Sequence, residues 1–224
     1  MPDIQPTERT AVKRLPQRAC YDREAIHRIL DEGMICHVGF AVEGQPFVIP
    51  TIYVRIGESI YLHGSPASRM LQALKQGVEA SVAVTLVDGL VLARSAFHHS
   101  MNYRSVVLFG KGSAVDDETR KFEILRCLTD HLIRGRFAEI RVPSPEELKR
   151  TLVVAIAIDE VSAKVRTGPP LDDEPDYALP VWAGVLPLRM AALPPVADPR
   201  LPPEIAAPSY AIDYGGPGAA IENT

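Results

Sequence analysis

The sequence predicts a mainly β fold with a few helices, an α+β chain built on one small barrel. Three observations predict it. At least six strand-like runs follow one another, mostly separated by turn signals. Helical periodicity is confined to a few stretches, with no internal repeat and no second hydrophobic core. Hydrophobic residues make up 46% and charged residues 23% of the 224, as in an ordinary globular protein.

The elements follow in order. Residues 1–20 are polar and basic, carry Pro2, Pro6 and Pro16, and read as an extended N-terminal arm. Asp22 caps a helix with Ala25, Ile26, Ile29 and Leu30 on its apolar stripe, and Gly33 ends it. Residues 34–42, 47–55 and 59–63 read as three strands of one meander, with turns at 43–46 and 56–58. Pro50 has no N–H for a ladder, so its strand belongs at an edge, at a bulge or where the ladder opens. The third strand stops at Gly64 and turns into a helix over 65–77, with Ser65 as N-cap and Pro66 at the first helical position. His63, Ser65, Ser68 and Arg69 then surround a helix start, where free amides and a partial positive charge suit a phosphate. An ordinary capped helix fits the same residues.

Residues 79–87 and 90–97 read as strands joined at Asp88-Gly89, a strong hairpin signal. The polar run from His98 to Arg104 reads as an irregular loop lining a pocket or a subunit contact. A strand covers 105–115. A helix covers 117–134, with Phe122, Leu125, Leu128 and Leu132 on one side. Ser144-Pro-Glu-Glu147 is a capping box that opens a short helix. Residues 152–158 and 160–166 are the last strands of the series, and Lys164 and Arg166 share a face. Asp172 to Asp176 reads as a solvated acidic turn. Trp182, the one tryptophan, serves either as a core anchor or as a wall for a flat ligand. Residues 188–224 are proline-rich and read as an extended tail that packs over a surface or is partly disordered.

Composition excludes several function classes. A net charge of −4 and 6% aromatic residues give no footprint for nucleic acid. No apolar run approaches the roughly 20 residues of a membrane span, and the N-terminus lacks a signal-peptide core, so a cytoplasmic protein is expected. Cys20, Cys36 and Cys127 are odd in number and lack CxxC spacing, so neither a disulfide framework nor a zinc site is expected. His98 and His99 point to opposite faces of a strand, which argues against a metal site. There is no G-x-S-x-G elbow, G-x-G-x-x-G or Walker motif.

Four segments together resemble a known family: Val48–Tyr53, Ile60–Ser65 with Ser68-Arg69, Phe97–Gly110, and Lys164–Gly168 through Pro180–Gly184. The chain resembles the pyridoxamine 5′-phosphate oxidase-related flavin-nucleotide-binding proteins, nearest the nitroimidazole-resistance-reductase branch. That resemblance implies an FMN-binding split β-barrel with a few peripheral helices, spanning 21–187 and working as a homodimer. By resemblance, the backbone at Ile49, Pro50 and Thr51 lies along the flavin ring. His63, Gly64, Ser65, Ser68 and Arg69 hold the phosphate. His99, Asn102, Tyr103 and Trp182 lie near the ring, with the His99–Tyr103 loop serving its own flavin or the partner's. His63 and His99 are the candidate proton donors. The implied activity is FMN-dependent reduction of a small molecule such as a nitro-aromatic, with NAD(P)H as electron donor. Arg69 is followed by Met70 where the oxidase proper has a longer basic run, which argues against vitamin B6 oxidation. The alternatives are a non-catalytic flavin- or haem-binding split barrel, with haem left open by His63, His98 and His99, and an interaction protein using its tail.

Overall fold

The computed structural model describes residues 3–217. Strand β1 (Ala19–Cys20) and helix α1 (Arg23–Glu32) lead into β2 (Ile35–Val42), β3 (Gln45–Ile52), β4 (Val54–Ile56) and β5 (Ser59–Gly64). Helix α2 (Arg69–Lys75) precedes β6 (Glu79–Leu92), β7 (Ser100–Lys111) and β8 (Ser113–Ala114). Helices α3 (Glu118–Leu132) and α4 (Pro145–Lys149) follow, then β9 (Leu152–Ala157), β10 (Glu160–Arg166), β11 (Gly184–Pro187) and α5 (Ser209–Ile212).

One sheet runs β1-β10-β7-β6-β2-β3, with β11 also paired to β6; the other runs β4-β5-β9-β8. The inner faces of the two sheets share one core. Val38, Val82, Val84, Val106 and Leu108 meet Ile60, Leu62, Val154 and Ile156, with Ile26 and Leu30 of α1 and Leu71 and Leu74 of α2. On the other side of the small sheet, Tyr61 and Val153 pack against Ile124 and Leu128 of α3. The sheets stay separate, so the barrel is split, as the resemblance implies.

The expected meander is divided between the sheets. β2 and β3 form a hairpin through Glu43 and Gly44, whose φ of 50° and 76° is the left-handed pair of a two-residue turn. The chain then changes sheets at Tyr53, which is fully buried and donates its hydroxyl to Leu30 O at 2.5 Å. Among the described residues β3 pairs only with β2. Pro46 and Pro50, of one parity on this edge, can both face the open flank without losing a ladder bond.

Asp88-Gly89 is not a hairpin. β6 runs straight through it, with a register shift between Val87 and Gly89. Two contacts override the turn chemistry. Arg104 takes the Asp88 carboxylate, with Nε–Oδ2 at 3.0 Å and Nη2–Oδ1 at 2.7 Å. Gly89 lets β11 approach, since a Cβ there would sit 2.9 Å from Leu186 O. The real turn lies at 93–99, and Ser100–Arg104 belongs to β7 rather than to a loop.

Other expectations shift as well. Ser68, not Ser65, caps α2, accepting from Leu71 N; Ser65–Ala67 forms a turn ahead of it, where Ser65 Oγ accepts from Ala67 N. α3 buries Ile124 and Leu128 rather than Phe122 and Leu125, because it lies on Tyr61 and Val153. The N-terminal segment is tied down by its side chains: Ile4 enters the core, and Arg9 bridges Glu79 and Glu160. The Asp22 cap and the Ser144–Glu147 capping box stand as expected.

Candidate functional site

The expected site residues fall into two groups. The first lies at β3 and the start of α2. Arg69 is exposed, makes no ion pair among the described residues, and places its guanidinium 4.8 Å from the centre of the Phe47 ring. Phe47 in turn stacks on Phe40 at 5.4 Å. That contact places Arg69 over β3, the edge strand that also carries Ile49, Pro50 and Thr51. Ile49 is 39% exposed and its neighbour Val48 65%. Ser65 is exposed and Ser68 half-buried.

His63 shares the strand face of Tyr61, opposite Ile60 and Leu62. Its Nδ1 is buried with no hydrogen-bond partner, and burial pushes its pKa below the ordinary value. A neutral imidazole with an orphaned nitrogen suits a ligand or a proton relay better than a satisfied core position.

The second group lies at the far end of β6 and β7. His99 is exposed and its Nδ1 meets Ser95 O at 2.9 Å. His98 Nε2 lies 3.3 Å from Asp173 Oδ2, too poorly aligned for a hydrogen bond. Trp182 is 68% exposed and packs on Gly184, where a Cβ would meet its ring at 2.9 Å. Tyr103 is half-buried. Asn102 is turned inward instead: its Oδ1 accepts from Arg166 Nη1, and its Nδ2 donates to Gly168 O at 3.2 Å.

Two further residues here take part in buried polar contacts that the sequence alone does not assign. Arg166 is only 7% exposed. Asp172 is not solvated: its side chain is wholly buried and binds Arg94 Nη1 and the Arg94 amide, both at 3.0 Å. Burial opposes its charge, but those bonds and one from the Ser95 amide hold its carboxyl below the ordinary range. Arg94 also lies over the Tyr177 ring at 4.9 Å, so 172–178 is pinned against the hairpin end.

The His99 and Trp182 end of the second group does not meet the first group within one chain. Pro50 pairs with His37, and His37 with Ala83. Gly184 pairs with Leu92, further along the same β6 strand. From Ala83 to Leu92 is about 30 Å at ~3.3 Å per residue. Two surface hollows of the chain, one around Arg9 and Lys13 and one around Arg55, Cys127 and Arg134, touch neither group.

Two antiparallel sheets that stay separate around one shared core define the chain as a split barrel. Residues 22–165 match the family model described as pyridoxamine 5′-phosphate oxidase, and the chain belongs to that family. It is 45% identical to the flavocytochrome Anf3 from Azotobacter vinelandii, with 95% of this chain and 98% of that one covered and a TM-score of 0.87. It is 36% identical to a FAD and haem binding protein from Mycobacterium smegmatis, covering 89% and 98%, at a TM-score of 0.85. A putative 5-nitroimidazole antibiotic resistance protein from Bacteroides thetaiotaomicron shares the fold at 24% identity over 66% of this chain and 86% of that one, with a TM-score of 0.53. No curated protein matches the chain. No helix among the described residues is long and apolar enough to cross a membrane.

Proposed function

We propose that this chain is a flavin-binding redox protein that works as a homodimer, with FAD as its flavin and a haem as a second group. The observation that carries this reading is the likeness over 95% and 89% of the chain to two proteins described as a flavocytochrome and as a FAD and haem binding protein. FAD replaces the expected FMN on that ground. The residues fit a bound nucleotide: an open strand edge at Ile49–Thr51, a free guanidinium at Arg69, and the orphaned Nδ1 of His63. When bound, the flavin and haem supply the electron-transfer chemistry.

In this reading residues 21–187 form the cofactor-binding unit, with 1–20 and 188–224 as its extensions. The backbone of Ile49, Pro50 and Thr51 borders the flavin ring. Gly64, Ser65, Ser68 and Arg69 hold its phosphates, and Arg69 is kept in place by Phe47. His99 and Trp182, at the Leu92 end of β6, reach the flavin of the partner subunit, because they stand too far from their own β3; Tyr103, opposite Val87, is nearer and borders either flavin. Asn102 acts as a positioning residue, since both ends of its amide are engaged. His63 and His99 move protons near the ring, and NAD(P)H and a small-molecule acceptor are the reacting partners in a reductase cycle.

Titrating the cofactor-free protein with FAD and with FMN, followed by flavin fluorescence, tests the assignment. FAD binds more tightly, and Arg69→Ala weakens it by about 1–3 kcal/mol through loss of a charge-assisted contact. Equal affinity in the variant removes Arg69 from the site. Quenching by neither flavin contradicts the reading.

A further inference from the structure

We propose that residues 189–207 form a strap that closes over a second copy of this chain; this rests on the homodimer reading above. Every residue from Leu186 to Ala207 is exposed. The exposed side chains include Met190 at 82%, Leu193 at 84% and Val196 at 96%. An extended segment with its largest apolar side chains in water is missing the surface that would cover them. Between Arg189 and Ala207 the hydrogen bonds among the described residues are all local, such as Leu201 N to Asp198 O and Ile205 N to Pro202 O.

Both ends of the segment are nevertheless fixed to this chain. It leaves β11 where Leu188 N donates to Asp88 O at 3.0 Å. It returns at Tyr210, which accepts from Arg136 Nη1 at 3.0 Å and donates to Glu139. Tyr214 then donates to Met34 Sδ at 3.7 Å. A free tail needs only one anchor; a segment held at both ends and standing clear between them is shaped to enclose something. The prolines preset its extended backbone and lower the entropy lost on docking.

The enclosed body is a second copy because the anchors flank an apolar face of this same chain. Asp88 adjoins Val87, which is 42% exposed, and Met34 adjoins Ile35, at 50%. With Val48 at 65%, these residues line the outer side of β6, β2 and β3. One chain thus carries both an uncovered sheet face and an uncovered strap. A two-fold pairing satisfies both at once, each copy supplying the same two surfaces. The strap lies beyond the residues matched by the family model, yet 95% coverage of the flavocytochrome reaches into it.

The test uses the full chain carrying Met190→Glu, Leu193→Glu and Val196→Glu together, with dimer dissociation followed by analytical ultracentrifugation. In a free chain these side chains face water, so the thermal midpoint of the monomer and the circular dichroism stay unchanged. The strap predicts a dissociation constant raised at least ~100-fold. A Val142→Glu control, at an exposed apolar residue outside the strap, leaves it unchanged. A triple variant that dimerises as tightly as the parent overturns the strap and leaves the homodimer standing. A parent chain that is monomeric at micromolar concentration overturns both.

Discussion

Arg166→Ala is expected to cost the folded protein about 3 kcal/mol, seen as a lower urea midpoint at unchanged m-value. Arg166 Nη1 reaches Asn102 Oδ1 and, at 3.2 Å, Gly168 O; its Nη2 reaches Pro169 O at 3.2 Å. All three acceptors are neutral, and Nε has no partner among the described residues. Burial, then the nearby Arg18, pushes the guanidinium pKa below its ordinary value. Hydrogen bonds from a charged donor contribute about 1.5–3 kcal/mol each, and the cost of burying a charge without a counter-ion offsets part of that sum. Removing the side chain also leaves the inward-facing Asn102 amide half satisfied, so the loss is local to the hairpin end that carries Tyr103 and His99. Arg166→Lys keeps the charge but not the fork, and should recover less than half of the loss. An unchanged midpoint in Arg166→Ala would show that the network contributes nothing.

Gly112→Ala is expected to cost about 3 kcal/mol as well, for a steric reason. Gly112 sits where β7 hands over to β8 and the chain changes sheets. A Cβ there would lie 2.6 Å from Val154 Cγ1, 2.8 Å from Leu74 Cβ and 2.9 Å from Leu74 O. A side chain can rotate away, but the backbone oxygen of α2 cannot move without shifting the helix that carries Arg69. Ser113→Ala, one residue further and exposed, should stay within about 0.5 kcal/mol. Thermal unfolding of the two variants side by side separates packing at the switch from a general intolerance of the strand.

Much of the fold was legible because local chemistry and tertiary context agreed. Asp22 and the Ser144 capping box mark helix starts through short-range bonds that the sequence displays directly. Pro50 narrows its strand to an edge, a bulge or an opening in the ladder because a missing N–H constrains pairing wherever the strand sits, and the first of these holds. Asp88-Gly89 misled because its turn preference is worth less than two contacts made at long range, the Arg104 fork and the approach of β11. The acidic run at Asp172 misleads for the same reason, while the face shared by Lys164 and Arg166 is left unassigned by the sequence. A charged residue on an alternating strand looks solvated until the covering segment, here 167–178, is folded onto it. The division of the site was partly visible: the resemblance offered the partner's flavin as one alternative for the His99–Tyr103 loop. The length of β6, which settles the distance, depends on the absence of a turn that the sequence suggested.

The optical spectrum of the protein purified from cells supplied with haem precursor and riboflavin tests the central claim most directly. Flavin absorption and a Soret band together, in a fraction that elutes as one dimeric species and releases FAD on denaturation, is the predicted result. A colourless protein that takes up neither cofactor on incubation would contradict it.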